Sequence, residues 1–259
     1  MAHIYTNHAE EIGCSRRTIY NYIDQSVFTA RNLDLRRRVK YKQCKSPTRC
    51  SIKVRDFRIG RNYEDFQKAL KDQPDINVVE MDTVEGTKGG KVLLTMMFRN
   101  CSLMIAFLLE SKTQEEVEKV FNDLTESLGV ELFHQIFPII LTDGGSEFQN
   151  PKLLENTTEG VLRTHVYYCD PYCSWQKGVI EKNHEYIRHV VKKSSTFDCY
   201  TQEQITLMIN HINSESRDIL NGCTPFKISR LLLDNTLHST LSLTEIDADD
   251  VTLKPQLLN

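Results

Sequence analysis

The stretch INVVEMDTVEGTKGGKVLLTMMFRNCSLMIAFLLE, residues 76–110, decides the fold. It holds three apolar runs, INVVEMDT, KVLLTMMFR and CSLMIAFLLE, separated by GTKGG at 86–90 and by Arg99-Asn100. Runs of this length and composition between turn residues predict three consecutive strands, the first carrying an acid at its end, Asp82. Downstream, Thr113 is placed as an N-cap, and Val117, Val120, Phe121, Leu124 and Leu128 recur at helical spacing up to Gly129. PIILTD at 138–143 predicts a short buried strand that again ends on an acid, Asp143, and RTHVYYC at 163–169 predicts a further strand. A helix fits from Trp175 to about Lys193 and another over TQEQITLMINHINSESR. Three strands, helix, strand, strand, helix makes an α/β sandwich with a mixed sheet.

The chain has 259 residues, 40% of them hydrophobic and 26% charged, which excludes a disordered or fibrous protein. No run of roughly 18 apolar residues is present, and MAHIYTNHAEEIG lacks an apolar signal core, so a cytoplasmic protein is expected. Eight cysteines, none paired as CxxC, read as reduced thiols. The net charge of −3 hides an asymmetry: residues 31–61 hold twelve Lys/Arg, among them Arg36, Arg37 and Arg38, against Asp34 and Asp56. A basic block on an otherwise acidic chain points to a polyanion, most simply nucleic acid; a solvated linker is the bland alternative.

Ahead of that block, residues 3–25 read as two short helices with a seam of Ala9, Ile12, Ile19 and Ile23. Gly13 is expected to turn the chain through positive φ, and Ser15 to cap the second helix. The pattern fits a helix-turn-helix short of an upstream helix, presenting Arg16, Arg17 and Tyr20 to DNA; a small helical hairpin is the bland alternative. The expected organisation is therefore a helix-turn-helix segment at 1–30, a basic linker at 31–71, a core at 72–234 and a loose acidic tail at 235–259.

Ligands of α/β folds gather at strand ends, and two carboxylates there suit hard divalent cations. On the helix WQKGVIEKNHEYIRHVVKK, Ile180, Asn183, Ile187, Val190 and Val191 share the face expected to pack on the sheet. Lys177, Glu181, Glu185, Arg188 and Lys192 share the other. That second face reads either as solvated ion pairs or as a carboxylate completing a metal site among cations that meet phosphates. Glu85 and Glu147 are read as supporting or surface acids, His184 as solvated, and Trp175 as packing or base-stacking. Cys169, Cys173 and His165 are read as packing rather than as a zinc site.

VEMDTVEG, LTDGGSEF and DPYCSWQKGVIEKNHEYIR resemble, in order, the three acidic motifs of bacterial insertion-sequence transposases of the insertion-sequence-thirty family, whose core is of the retroviral-integrase type. GRNYEDF at 60–66 and LNGCTPF at 220–226 are similar to further landmarks of that family. The resemblance implies a ribonuclease-H-like fold, a mixed five-stranded sheet flanked by helices. It also implies an Asp-Asp-Glu active site on Asp82, Asp143 and Glu181 holding two Mg²⁺ or Mn²⁺ ions, Asp82 shared by both. Implied with it are double-stranded DNA as substrate (element ends and target), phosphodiester cleavage followed by joining of the 3′-hydroxyl, a homo-oligomer in the synaptic complex, and residence at the nucleoid. DNA contacts are then expected from Arg16, Arg17, Tyr20, Arg36, Arg37, Arg38, Lys177, Arg188 and Lys192. Departures are Gly144 where Asn is usual, Val179-Ile180 before the Glu and Lys182 after it. They keep open the alternative of a decayed remnant that only binds DNA; a simple ribonuclease-H-like hydrolase is the third reading.

Overall fold

The computed structural model describes residues 2–8, 10–35 and 56–258. They fall into two compact units. The smaller joins the N-terminal residues up to Lys53 with Ser216–Cys223, and the larger comprises Val54–Glu215 with Thr224–Asn259. Arg36, Arg37 and Arg38 lie outside the described residues.

In the smaller unit α1 spans Ala2–Asn7 and α2 spans Arg16–Asp24. Ser15 caps α2, its hydroxyl accepting from the Thr18 N–H at 3.2 Å, and Ile19 and Ile23 turn inward. Gly13 does not use positive φ; the chain reverses instead through a tight turn in which the Cys14 N–H donates to the Ile12 carbonyl. Residues 216–223, expected inside the core, belong here: the Ser216 N–H donates to His3 Nδ1 at 2.8 Å.

The larger unit runs α3 (Tyr63–Asp72), β1 (Val78–Glu85), β2 (Val92–Phe98), β3 (Met104–Leu109), α4 (Gln114–Leu128), α5 (Val130–Ile136) and β4 (Ile139–Thr142). It continues with α6 (Pro151–Glu155), β5 (His165–Tyr168), α7 (Gly178–Val190), α8 (Gln202–Asn213), α9 (Pro225–Leu232) and α10 (Asn235–Thr240). The sheet order is β3-β2-β1-β4-β5; β1, β2 and β3 are antiparallel, while β4 and β5 run parallel to β1. Every residue of β2 is buried, the mark of a strand covered on both faces. Thr113 and Gly129 bound α4 as its cap and stop, as the sequence pattern requires. No helix among the described residues is long and apolar enough to cross a membrane.

Two boundaries differ from expectation. Residues 56–71 are not linker: α3 opens with a capping box between Asn62 and Asp65 and buries Phe66 against Val78, Ile139 and Leu141. Residues 235–259 are not loose: Leu237, Leu243, Leu253 and Leu258 enter the main core. The four acids of that segment hide an apolar residue every few positions, and this sparse pattern is satisfied only by surfaces that other elements provide.

Candidate active site

The site begins with strand register. In the parallel β1/β4 pair Glu80 stands beside Leu141, so Asp82 and Asp143, each two residues further on, emerge at the same level at the carboxyl ends of neighbouring strands. Here the chain order of the sheet reverses, with β2 and β3 to one side and β5 to the other, and such a point leaves a crevice.

The crevice holds a cation of the protein's own. Lys177 Nζ lies 3.0 Å from Asp82 Oδ2 and 3.1 Å from Asp143 Oδ2. Lys177 is only 4% exposed, in a 3₁₀ turn over Ser174–Lys177 that leads into α7. The exposed position expected for it on the cationic face of the helix is therefore corrected: the helix starts at Gly178, and the preceding turn rotates Lys177 inward. Burial pushes the Asp82 carboxyl above the usual range and Asp143 adds to this, while the Lys177 ammonium pulls it back. For the more exposed Asp143, the ammonium and the Gly145 N–H bond outweigh burial and hold its carboxyl low. Burial disfavours the charge on Lys177, but the two carboxylates outweigh it and keep the amine protonated.

Glu181 is one turn beyond Lys177, on the exposed side of α7. Its carboxyl is raised by partial burial and by Asp82, against the pull of Lys177 and a Ser174 hydrogen bond, so it shares the electrostatic environment of the two aspartates. The three acids are not a ready cage: among the described residues no three His, Cys, Asp or Glu side chains stand close enough together to hold a metal ion. Asp82 and Asp143 do fit one hard cation, because two carboxylate oxygens already share an ammonium.

Glu80 and Arg99, without a role in the sequence reading, hold this geometry. Glu80, fully buried, accepts from Arg99 Nε at 2.6 Å and from the Ile180 N–H at 2.8 Å, and Arg99 Nη2 donates to the Gln176 carbonyl at 2.7 Å. This clamp fixes the start of α7 on β1. Its signal was the two-residue spacing from Asp82, which puts Glu80 on the same strand face. His184 is not solvated: it is largely buried, with Nε2 2.8 Å from Thr95 Oγ1 and Nδ1 4.0 Å from Asp82 Oδ2. Glu147 is also buried, accepting from the Thr83 hydroxyl at 2.8 Å. The Arg58 guanidinium donates to the Cys169 carbonyl at 2.8 Å and packs so closely on Gly144 that a side chain there would strike it.

Of the other expected site residues, Arg17, Tyr20 and Lys192 are exposed. Arg16 Nη1 is paired with Asp218 at 2.8 Å. Arg188 is half-buried and donates to the Glu85 carbonyl at 2.7 Å. Trp175 is exposed, edge-on to Tyr63. The apolar face of α7, from Ile180 to Val191, is buried as the helical period requires.

No protein-family model matches the chain. A putative integrase (ORF3) of Spiroplasma virus SpV1-R8A2 B is 29% identical over 79% of this chain and 60% of its own length. A probable transposase for the insertion-like element IS1161 of Streptococcus salivarius is 25% identical over 82% of this chain and 57% of its own. Over most of its length the chain is similar to transposases and integrases. The InsI transposase of element IS30C in Escherichia coli is 30% identical over 58% of this chain and 37% of its own length. The chain thus spans about three-fifths or less of these curated relatives. Among solved structures, the catalytic core of BIV integrase superposes with a TM-score of 0.40 at 20% identity, covering 58% of this chain and 91% of that one.

Proposed function

We propose that the chain is the catalytic part of a DNA transposase of the insertion-sequence-thirty type. In this reading Asp82, Asp143 and Glu181 direct phosphodiester cleavage at element ends and joining of the freed 3′-hydroxyl to target DNA. The observation that carries the proposal is the delivery of two aspartates by adjacent parallel strands to one cation-sized gap, with a third acid on the next helix. Similarity to transposases over four-fifths of the chain supports it.

Asp82 and Asp143 would hold a divalent ion, Mg²⁺ or Mn²⁺, and Glu181 would complete a second site by turning inward. A bound ion supplies charge to the attacking and leaving oxygens of a phosphodiester. The protein's part is to draw both aspartates toward one positive charge, the Lys177 ammonium, and to fix α7 through the Glu80–Arg99 clamp. Water would first break the P–O bond and release a 3′-hydroxyl; that hydroxyl would then displace a target-strand oxygen. Double-stranded DNA would lie on Lys192, Arg17 and Tyr20, with Arg36, Arg37 and Arg38 adding phosphate contacts and Trp175 a stacking surface. A homo-oligomeric complex at the nucleoid would bring two ends together.

The test uses the full chain with duplexes taken from the borders of its own element. Wild type should nick and join them with Mn²⁺, and Asp82→Asn, Asp143→Asn or Glu181→Gln should abolish both steps while retaining DNA binding. Binding without any divalent-dependent cleavage by wild type would favour the decayed remnant. Cleavage that survives all three substitutions would overturn the assignment.

A further inference from the structure

We infer that Asp218, in the loop between α8 and α9, holds the Arg16 side chain as a reader of guanine, so that this pair sets which DNA sequence the smaller unit prefers. The inference rests on the reading of that unit as a DNA-binding surface. It gives a role to a carboxylate that phosphate binding alone would not use.

Arg16 is the first residue of α2, directly after the Ser15 cap. Residues at the N-terminal end of a DNA-reading helix are the ones that reach base edges. Arg16 Nη1 donates to both carboxylate oxygens of Asp218, each at 2.8 Å. Among the described residues no hydrogen bond engages Nε or Nη2. These two atoms form one edge of the planar guanidinium, and their paired N–H groups match the O6 and N7 acceptors of guanine. The guanidinium carbon lies 5.9 Å from the centre of the Tyr5 ring, so an aromatic face supports it as well. The Arg16 side chain is still 41% exposed.

Both supports are fixed. Asp218 opens a 3₁₀ turn, Asp218–Leu220. The Arg217 N–H closes the loop on the Cys223 carbonyl at 3.0 Å, and the Gly222 N–H donates to the Arg217 carbonyl at 2.9 Å. Tyr5 belongs to α1, which the same loop grips. The Ser216 N–H meets His3 Nδ1, and a β-carbon on Gly222 would lie 3.1 Å from Thr6. One loop thus carries the carboxylate and anchors the helix that carries the ring.

The charge of Asp218 decides between base and phosphate. On a surface that gripped only phosphates, this carboxylate would repel what Arg16 attracts. Beside a base edge it instead fixes a long side chain before binding, so less rotamer freedom is lost on contact. It also disfavours a phosphate at that place. The pair gives up affinity for DNA in general and gains selectivity.

The experiment selects duplexes with a randomised centre on the full chain, then compares the selected duplex with a scrambled one in competition binding at one fixed salt concentration. Wild type should enrich a sequence with an invariant guanine. Arg16→Ala should lose that guanine and about 5- to 150-fold of the preference, the worth of one bidentate base contact. Asp218→Ala should relax the same position while binding the scrambled duplex roughly 2-fold or more tightly, because a repelling charge is gone. Asp218→Asn, which keeps an acceptor oxygen, should fall between it and wild type. Arg16→Ala added to Asp218→Ala should cost less preference than Arg16→Ala alone. Circular dichroism checks that each variant folds, and the asparagine variant decides if the alanine one does not. A guanine that survives Arg16→Ala would overturn the inference, as would Asp218 variants that weaken both duplexes equally, the mark of a merely structural ion pair. Wild type that binds DNA without any preference would also remove it and leave the catalytic reading to the cleavage assay. Wild type that binds no DNA would remove both readings.

Discussion

Replacing Lys177 with Met removes a positive charge and keeps most of the side-chain volume. The ammonium is 3.0 Å from Asp82 and 3.1 Å from Asp143, on a side chain only 5% exposed. Deleting one member of a fully buried ion pair costs about 3–5 kcal/mol, because the partner is left charged and dry. Asp82 fits that case at 17% side-chain exposure, but Asp143 at 45% recovers solvation, so the expected loss is about 2–4 kcal/mol. For a chain of this size each kcal/mol lowers the melting temperature by about 2–4 °C, which gives a drop of roughly 4–16 °C in EDTA. Divalent ions should act with the opposite sign. With the competing ammonium gone, millimolar Mn²⁺ should restore much of the loss and should raise the variant's melting temperature more than that of wild type. Differential scanning fluorimetry with EDTA, Mg²⁺ and Mn²⁺ reads both effects. A variant that melts with wild type in EDTA, or gains no more from Mn²⁺ than wild type, would refute the view of Lys177 as the resident cation of a metal site.

Arg99→Ala should cost about 3–5 kcal/mol in urea unfolding, since it strands the fully buried Glu80 carboxylate, and Arg99→Ala with Glu80→Gln should recover part of it. Burial pulls the His184 imidazole down to about 4 from its usual 6.5. The fold therefore prefers the neutral ring, and its contribution is present above pH 6.5 and lost as pH falls toward 4. His184→Asn should flatten stability across that window, as read by melts from pH 7 to 4; His211 and His238, shifted the same way, are common to both proteins and cancel. Leu237→Ala should destabilise the protein by about 2–5 kcal/mol, whereas a loose tail would give no change in unfolding midpoint. Arg17→Ala should lower the preference for the element's own ends over random duplex by about 1–3 kcal/mol in competition binding at fixed salt; an equal fall for both duplexes would make Arg17 a phosphate contact.

The sequence alone determined whatever depends on local period and on turn chemistry. The three apolar runs of 76–110 became β1, β2 and β3, Thr113 and Gly129 bounded α4, and the Ile180–Val191 face of α7 packed inward. Each of these is fixed by residues within a turn or two of one another. The placement of Asp82 and Asp143 at strand ends was legible for the same reason; that they stand side by side followed only from the family resemblance and not from local pattern, because parallel register joins residues about sixty positions apart. Tertiary structure alone turned Lys177 from a surface cation into the counter-ion of both aspartates. A 3₁₀ turn before α7 rotates it away from the helical period on which its exposure was reasoned. It likewise decided that Glu80 is a clamp and His184 a buried partner of Thr95, since burial is conferred by the neighbouring element and not by the residue. The 235–259 segment makes the point most simply. Its acids announce solvent, and only the surfaces supplied by the core show that its few leucines outweigh them.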